Sequence, residues 1–129
     1  TIAQAASLEA MKMSPENSEE IQTMLKAFRN RRDMFFELLS EIPGMKLSKP
    51  AGAFYMFPEI KSYFGKTDGE TTINNSNELC LYLLDKAHVA CVAGDAFGND
   101  ECIRLSYATS EDKLREAAVR IKEALSKLK

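Results

Sequence analysis

One long apolar stripe constrains this chain more than any other feature. Ile21, Met24, Leu25, Phe28, Phe35, Leu38, Leu39 and Ile42 recur at helical spacing, which predicts an amphipathic helix from about Glu16 to Glu41. Arg31 and Arg32 interrupt the stripe where a hydrophobe would be expected, and Pro43-Gly44 ends it. A helix of about seven turns with one apolar side must lie against something. The chain has 129 residues, one domain's worth, so its cover has to come from a small number of further elements.

Those elements follow from changes of period. Ile2–Met13 is rich in helix formers and stops at Ser14-Pro15, because the residue before proline disfavours the helical region. Pro15 suits the first turn of the long helix. Beyond Gly44, Met45–Ser48 alternates and reads as a short strand, Lys49–Gly52 as a turn, and Ala53–Phe57 as an apolar, aromatic strand closed by Pro58. Residues 59–76 read as a loop with one helical turn at Ile60–Phe64. Asn75 or Ser76 can cap a helix running to about Lys86. Val89–Val92 and Cys102–Tyr107 read as strands around a Gly94–Asp100 loop, and Thr109 or Ser110 caps a last helix carrying Leu114, Ala117, Ala118, Ile121, Leu125 and Leu128 on one face. The order predicts an α+β fold of two layers: a small mixed or antiparallel sheet covered by long helices.

Composition removes several classes of function. Lys plus Arg number 17 and Asp plus Glu 19, so there is no basic excess to recruit nucleic acid or a membrane surface. No apolar run approaches the roughly 20 residues of a membrane span, and no charged-then-apolar leader is visible. Cys80, Cys91 and Cys102 are unpaired in spacing, and His88 is the single histidine, so no zinc pattern forms and no metal is expected. That cysteine usage fits a reducing, cytoplasmic setting. A Cys–His nucleophile from His88 with Cys91 or Cys102 has no local mark of activation, and the cysteines read as small buried hydrophobes.

Arg104 is the residue that most invites chemistry. In Cys102–Tyr107, Ile103, Leu105 and Tyr107 share one face, while Cys102, Arg104 and Ser106 share the other. An arginine inside an apolar strand loses solvation unless it is paired or borders a cleft, and its planar guanidinium suits two-point capture of a carboxylate. On pattern alone, a solvent-facing strand position is the favoured explanation. Phe54 opens the aromatic strand and could wall a pocket or join the core. Gly94 and Gly98 bracket Phe97 in a loop that matches no phosphate cradle. Arg29, Arg31, Arg32 and Asp33 read as a solvated helix face, and His88 as a helix end.

Four segments, in order, carry a resemblance. Thr1-Ile2-Ala3-Gln4, Lys49–Tyr55 (KPAGAFY), Val89–Gly98 (VACVAGDAFG) and Ile103–Ala108 (IRLSYA) resemble the S/T-I-A-Q, K-P-x-G-A-F-Y, V-A-V-V-P-G-x-x-F-G and I/V-R-L-S-Y-A segments of class I and II aminotransferases. Those are the fold-type I enzymes that use pyridoxal phosphate, and the resemblance is to their C-terminal part, nearest to bacterial aspartate aminotransferases. It spans essentially the whole chain. Ala93 stands where the family usually has proline, and Lys66–Asn75 lengthens a loop.

The resemblance implies that Arg104 grips the substrate α-carboxylate, that Phe54 helps wall the substrate pocket, and that the Gly94–Gly98 loop shapes the cleft edge. It implies a small domain over residues 1–129, with about 1–15 a helical junction to a large N-terminal domain. The Schiff-base lysine of the family lies in an S-x-S/T-K context that is absent here, and Lys46 and Lys49 do not match it. No catalytic or cofactor-binding residue is therefore expected in this chain, which by itself should neither bind pyridoxal phosphate nor turn over. The intact enzyme would move an amino group from an L-amino acid, aspartate or an aromatic one, to a 2-oxo acid, as a homodimer. A fold-type I C–S lyase, a diaminopimelate aminotransferase or a free-standing carboxylate-binding module are the alternatives. Arg104 is expected to project toward an open, apolar face with Phe54 nearby.

Overall fold

The computed structural model describes all residues from Thr1 to Lys129. Four helices carry most of the chain: α1 (Ile2–Lys12), α2 (Glu19–Ser40), α3 (Ser76–Ala87) and α4 (Glu111–Leu125). Three short strands, β1 (Tyr55–Met56), β2 (Val92–Ala93) and β3 (Ile103–Ser106), form an antiparallel sheet in the order β1-β3-β2. Tyr55 stands opposite Ser106 and Met56 opposite Leu105; on the other side Val92 faces Arg104 and Ala93 faces Ile103. The fold is α+β, with a small antiparallel sheet and helical cover.

Alternation decides which face of the sheet is dry. Ile103, Leu105 and Tyr107 are buried along β3, and Met56 is fully buried beside them. Against that face pack Phe35, Leu39 and Ile42 from α2 and its exit, Leu79 and Leu83 from α3, and Leu114, Ala118, Ile121 and Leu125 from α4. The core is thus the C-terminal half of the α2 stripe closed by two later helices and one sheet face; nearer the start of α2, Ile21, Leu25 and Phe28 are only half-buried and Met24 is exposed. Burial of side chains of this size is worth about 1.5–3 kcal/mol each, so α2 and α4 hold the sheet in place. Tyr82 donates its hydroxyl to the Ala124 carbonyl at 3.1 Å, tying α3 to α4 inside that core.

The local boundaries differ from the sequence reading in physical ways. The long helix begins at Glu19 rather than Glu16, because Ser18 takes an extended conformation (φ −98°, ψ 117°) and accepts the Ile21 N–H as N-cap. Pro15–Asn17 forms a separate 3-10 turn before it. Met45–Ser48 is not a strand: only Lys46 pairs, bridging Glu59, which in turn bridges Cys102. The aromatic strand shrinks from Ala53–Phe57 to Tyr55–Met56, since Ala53 is in the left-handed region at φ 62° and cannot extend the ladder. Val89–Val92 becomes Val92–Ala93, because Val89 donates its N–H to the Leu83 carbonyl and closes α3 instead. His88 does stand at that helix end, in the left-handed conformation. Asn75 caps α3 by accepting the Glu78 N–H at 2.9 Å. The loop turn falls at Lys61–Tyr63. The last helix stops at Leu125, although Leu128 beyond it is still buried.

Candidate functional site

The second sheet face is where chemistry collects. Register puts Tyr55, Val92, Arg104 and Ser106 on this side, opposite the core. Arg104 is half-buried at its centre. Its guanidinium carbon lies 4.5 Å from the Phe97 ring centroid and 5.3 Å from that of Tyr55, both within cation–π range. It forms no ion pair and no hydrogen bond with any group of the chain. The N–H donors of this cation are therefore unspent, held on an exposed face whose other members, Val92 and Phe97, are 41% and 46% exposed.

Local structure fixes each ring. Phe97 ends the 3-10 turn Gly94–Phe97, and Gly98 follows in the left-handed conformation at φ 82°. The turn is laced to β3: Gly94 donates to the Cys102 carbonyl at 2.8 Å, and Asn99 donates to the Gly94 carbonyl at 3.1 Å. A Cβ at position 94 would lie 2.2 Å from the Asn99 oxygen and 2.4 Å from the Cys102 oxygen, so only glycine admits so close an approach. Asn77 of α3 donates to the Asp95 carboxylate at 3.1 Å and pins the turn from the other side.

Phe54 lies one ring further out, edge-on to Tyr55 with centroids 6.1 Å apart. Its backbone is anchored, since its carbonyl accepts the Tyr107 N–H at 2.8 Å, while its ring is 52% exposed. Sequence reasoning thus put Phe54 beside the arginine, but the rings on the guanidinium are Tyr55 and Phe97. Strand alternation was the signal for Tyr55, once β1 and β3 are paired. For Phe97 the only hint was its place between two glycines just upstream of β3.

The other candidates go elsewhere. The neighbouring Cys80 thiol together with burial pushes the Cys91 thiol up, away from a nucleophilic thiolate. Burial does the same to Cys102. His88 hydrogen-bonds neither cysteine; with Lys113, Arg120 and Ser106 it borders a cleft of about 510 Å³ on the flank of α4. A second cleft, about 660 Å³, runs over Tyr55, Phe57 and Cys102 toward Lys46 and Glu59. Arg104 lines neither of these clefts. Arg32 corrects the reading of a solvated charge run: it is folded inward, donating to Asp33 at 2.8 Å and to the Pro50 carbonyl at 3.3 Å. No helix is long and apolar enough to cross a membrane.

Fold and site together define an α+β domain that offers one unneutralised guanidinium on an aromatic sheet face. The family profile described as "Aminotransferase class I and II" matches residues 1–121, and the chain belongs to that family. It is 50% identical, over its full length and 27% of the relative's, to a bifunctional aspartate aminotransferase and glutamate/aspartate-prephenate aminotransferase of Petunia hybrida. A probable aspartate/prephenate aminotransferase of Aquifex aeolicus is 44% identical over 99% of this chain and 31% of its own. The crystal structure of the aspartate aminotransferase from Rhizobium meliloti superposes with a TM-score of 0.89 at 39% identity, covering 99% of this chain and 32% of that one. The chain therefore spans between a quarter and a third of the length of these relatives.

Proposed function

We propose that this chain is the small domain of a pyridoxal-phosphate-dependent aminotransferase, and that Arg104 binds the α-carboxylate of the substrate. The transfer would run from an L-amino acid, aspartate or an aromatic one, to a 2-oxo acid. The observation that carries the reading is a half-buried guanidinium with no anion of its own chain to neutralise it. Uncompensated cations in such positions lose solvation, and a bound carboxylate restores two charge-assisted hydrogen bonds at once. Every amino acid and 2-oxo acid carries that end whatever its side chain, so one arginine can serve both half-reactions.

Pyridoxal phosphate supplies an electron sink for bond breaking at Cα, and its usual anchor is a lysine imine. The groups gathered around Arg104 do not fit it: Tyr55, Val92, Phe97 and the Ser106 hydroxyl include no amine that could form that linkage. Lys46, at the edge of the neighbouring cleft, is committed to Glu59 at 2.7 Å. The cofactor and its chemistry thus belong to the part of the relatives that this chain does not span. Helix α1 supports a junction there: Leu8 and Met11, three residues apart on one side, are 56% and 86% exposed, and Ile2 at its start is 92% exposed, apolar surface without cover. What this chain contributes is the carboxylate anchor and a rigid apolar wall. Closing that wall over the substrate would exclude water.

Kinetics of the full-length enzyme test the assignment. Arg104→Leu should raise KM for both amino and 2-oxo acids and lower kcat/KM by roughly a hundredfold, as expected for loss of a charge-assisted pair at about 1.5–3 kcal/mol. Wild-type kinetics in that variant would refute the role. Product analysis separates the reaction types: a 2-oxo acid amino acceptor is consumed in transamination, whereas a C–S lyase releases a thiol without one.

A further inference from the structure

We infer that Phe97 and Tyr55 are positioning residues for substrate recognition: together they hold the Arg104 guanidinium in place for an incoming carboxylate. This rests on the reading of Arg104 given above and adds to it two residues from separate elements. Phe97 stays nearly half exposed although it is large and apolar, so core burial does not account for its position. It is nevertheless held firmly, by the Gly94 and Asn99 backbone bonds, by the tie from Asn77 to Asp95, and by an edge-on contact with Phe57 at 6.3 Å. A ring fixed at the surface with its centroid 4.5 Å from a guanidinium carbon is placed for the cation.

The chemistry explains why rings rather than carboxylates do this work. A carboxylate beside Arg104 would also hold it, but would occupy the donors and cancel the charge that the substrate needs. A π face attracts the cation without accepting its N–H groups in competition with the ligand. An arginine side chain free in solvent carries about 2 kcal/mol of rotamer entropy. With the guanidinium already restrained by two rings, less of that entropy is lost when the carboxylate docks. The effect should appear in binding of every α-carboxylate substrate and much less in the chemical step.

The test is a double-mutant cycle in the full-length, cofactor-loaded enzyme. Phe97→Leu keeps an apolar side chain and removes the π face; KM for amino and 2-oxo acids should rise roughly 3- to 30-fold with kcat within about twofold. Phe97→Tyr should restore wild-type KM. In an Arg104→Leu background, Phe97→Leu should add little, because the partner it positions is gone. Tyr55→Leu reaches the same question from β1 and should behave alike, which keeps the test alive should the Phe97 loop collapse on substitution. If Arg104→Leu raises KM while Phe97→Leu and Tyr55→Leu leave it unchanged, or add their effects fully in its absence, the positioning role is overturned. If Arg104→Leu itself leaves KM unchanged, the carboxylate reading falls first, and that outcome is distinct.

Discussion

Arg32 and Arg104 are both arginines set among apolar neighbours, and their fates differ. Arg32 has Asp33 and the Pro50 carbonyl, and Asp33 also takes Lys49 at 2.9 Å, so its carboxyl is held below the usual range by hydrogen bonds from Arg32 and Lys49. Arg104 has only rings. Part of the difference stands in the sequence, since Asp33 follows Arg32 directly; that the Pro50 carbonyl joins it, and that rings rather than a carboxylate reach Arg104, depends on distant residues the fold brings alongside. Strand alternation did assign Arg104 to the face away from Ile103, Leu105 and Tyr107, and that much was legible. Tyr63 carries a prediction at the same scale. Its hydroxyl donates to the Pro43 carbonyl, and burial pushes its pKa up to about 12 from 10.0. The folded state thus prefers the neutral phenol. Its contribution is complete below pH 10 and is lost as pH rises toward 12, by about 2–3 kcal/mol in all. Urea unfolding from pH 8 to 11 should show stability falling above pH 10, and Tyr63→Phe should flatten part of that fall. An unchanged slope in the variant would exclude Tyr63 as its source.

Helix bounds were more readable here than strand bounds, for a reason of element length. Each helix has several turns over which periodicity shows, and Ser18 and Asn75 both accept an N–H at the first turn, whereas Ser110 stands at the N-cap of α4 without the expected side-chain bond. The strands are two, two and four residues long, and such lengths carry almost no period of their own. Much of the extended chain instead makes single bridges, such as Lys46 with Glu59. The turn that carries Phe97 depends on one absent Cβ. Gly94→Ala would drive a methyl group into two backbone oxygens at 2.2 and 2.4 Å, neither of which can swing away as a side chain could. Overpacking of this kind costs about 1–3 kcal/mol or more. Thermal unfolding should register a Tm several degrees lower. Because the displaced backbone carries Phe97, KM of the intact enzyme should rise in the same variant. Gly98→Ala meets no atom within 4 Å and is strained only through its φ of 82°, so it should disturb the turn less.

At the scale of the whole molecule, stability is concentrated in residues 19–128 and α1 stands apart from it. Thr1 and Gln4 form a reciprocal cap, the Gln4 N–H donating to Thr1 Oγ1 at 3.3 Å, yet no residue of α1 is buried. Helices shorter than about 12–15 residues are marginal in water when only local forces hold them. In the isolated chain α1 should therefore fray, and its amides should exchange with solvent far faster than those of α2 and α4. Removing residues 1–13 should shift Tm by no more than about 3 °C, whereas Ile121→Ala, at a fully buried position, should cost about 2–5 kcal/mol. In the full-length enzyme the expectation reverses: the apolar side of α1 finds cover, its amides become protected, and Met11→Asp should destabilise the assembly while leaving the isolated chain unaffected. Hydrogen exchange on both forms decides it. Slow exchange of α1 in the isolated chain would mean that the helix finds its partner within these 129 residues, and the junction reading would then fail.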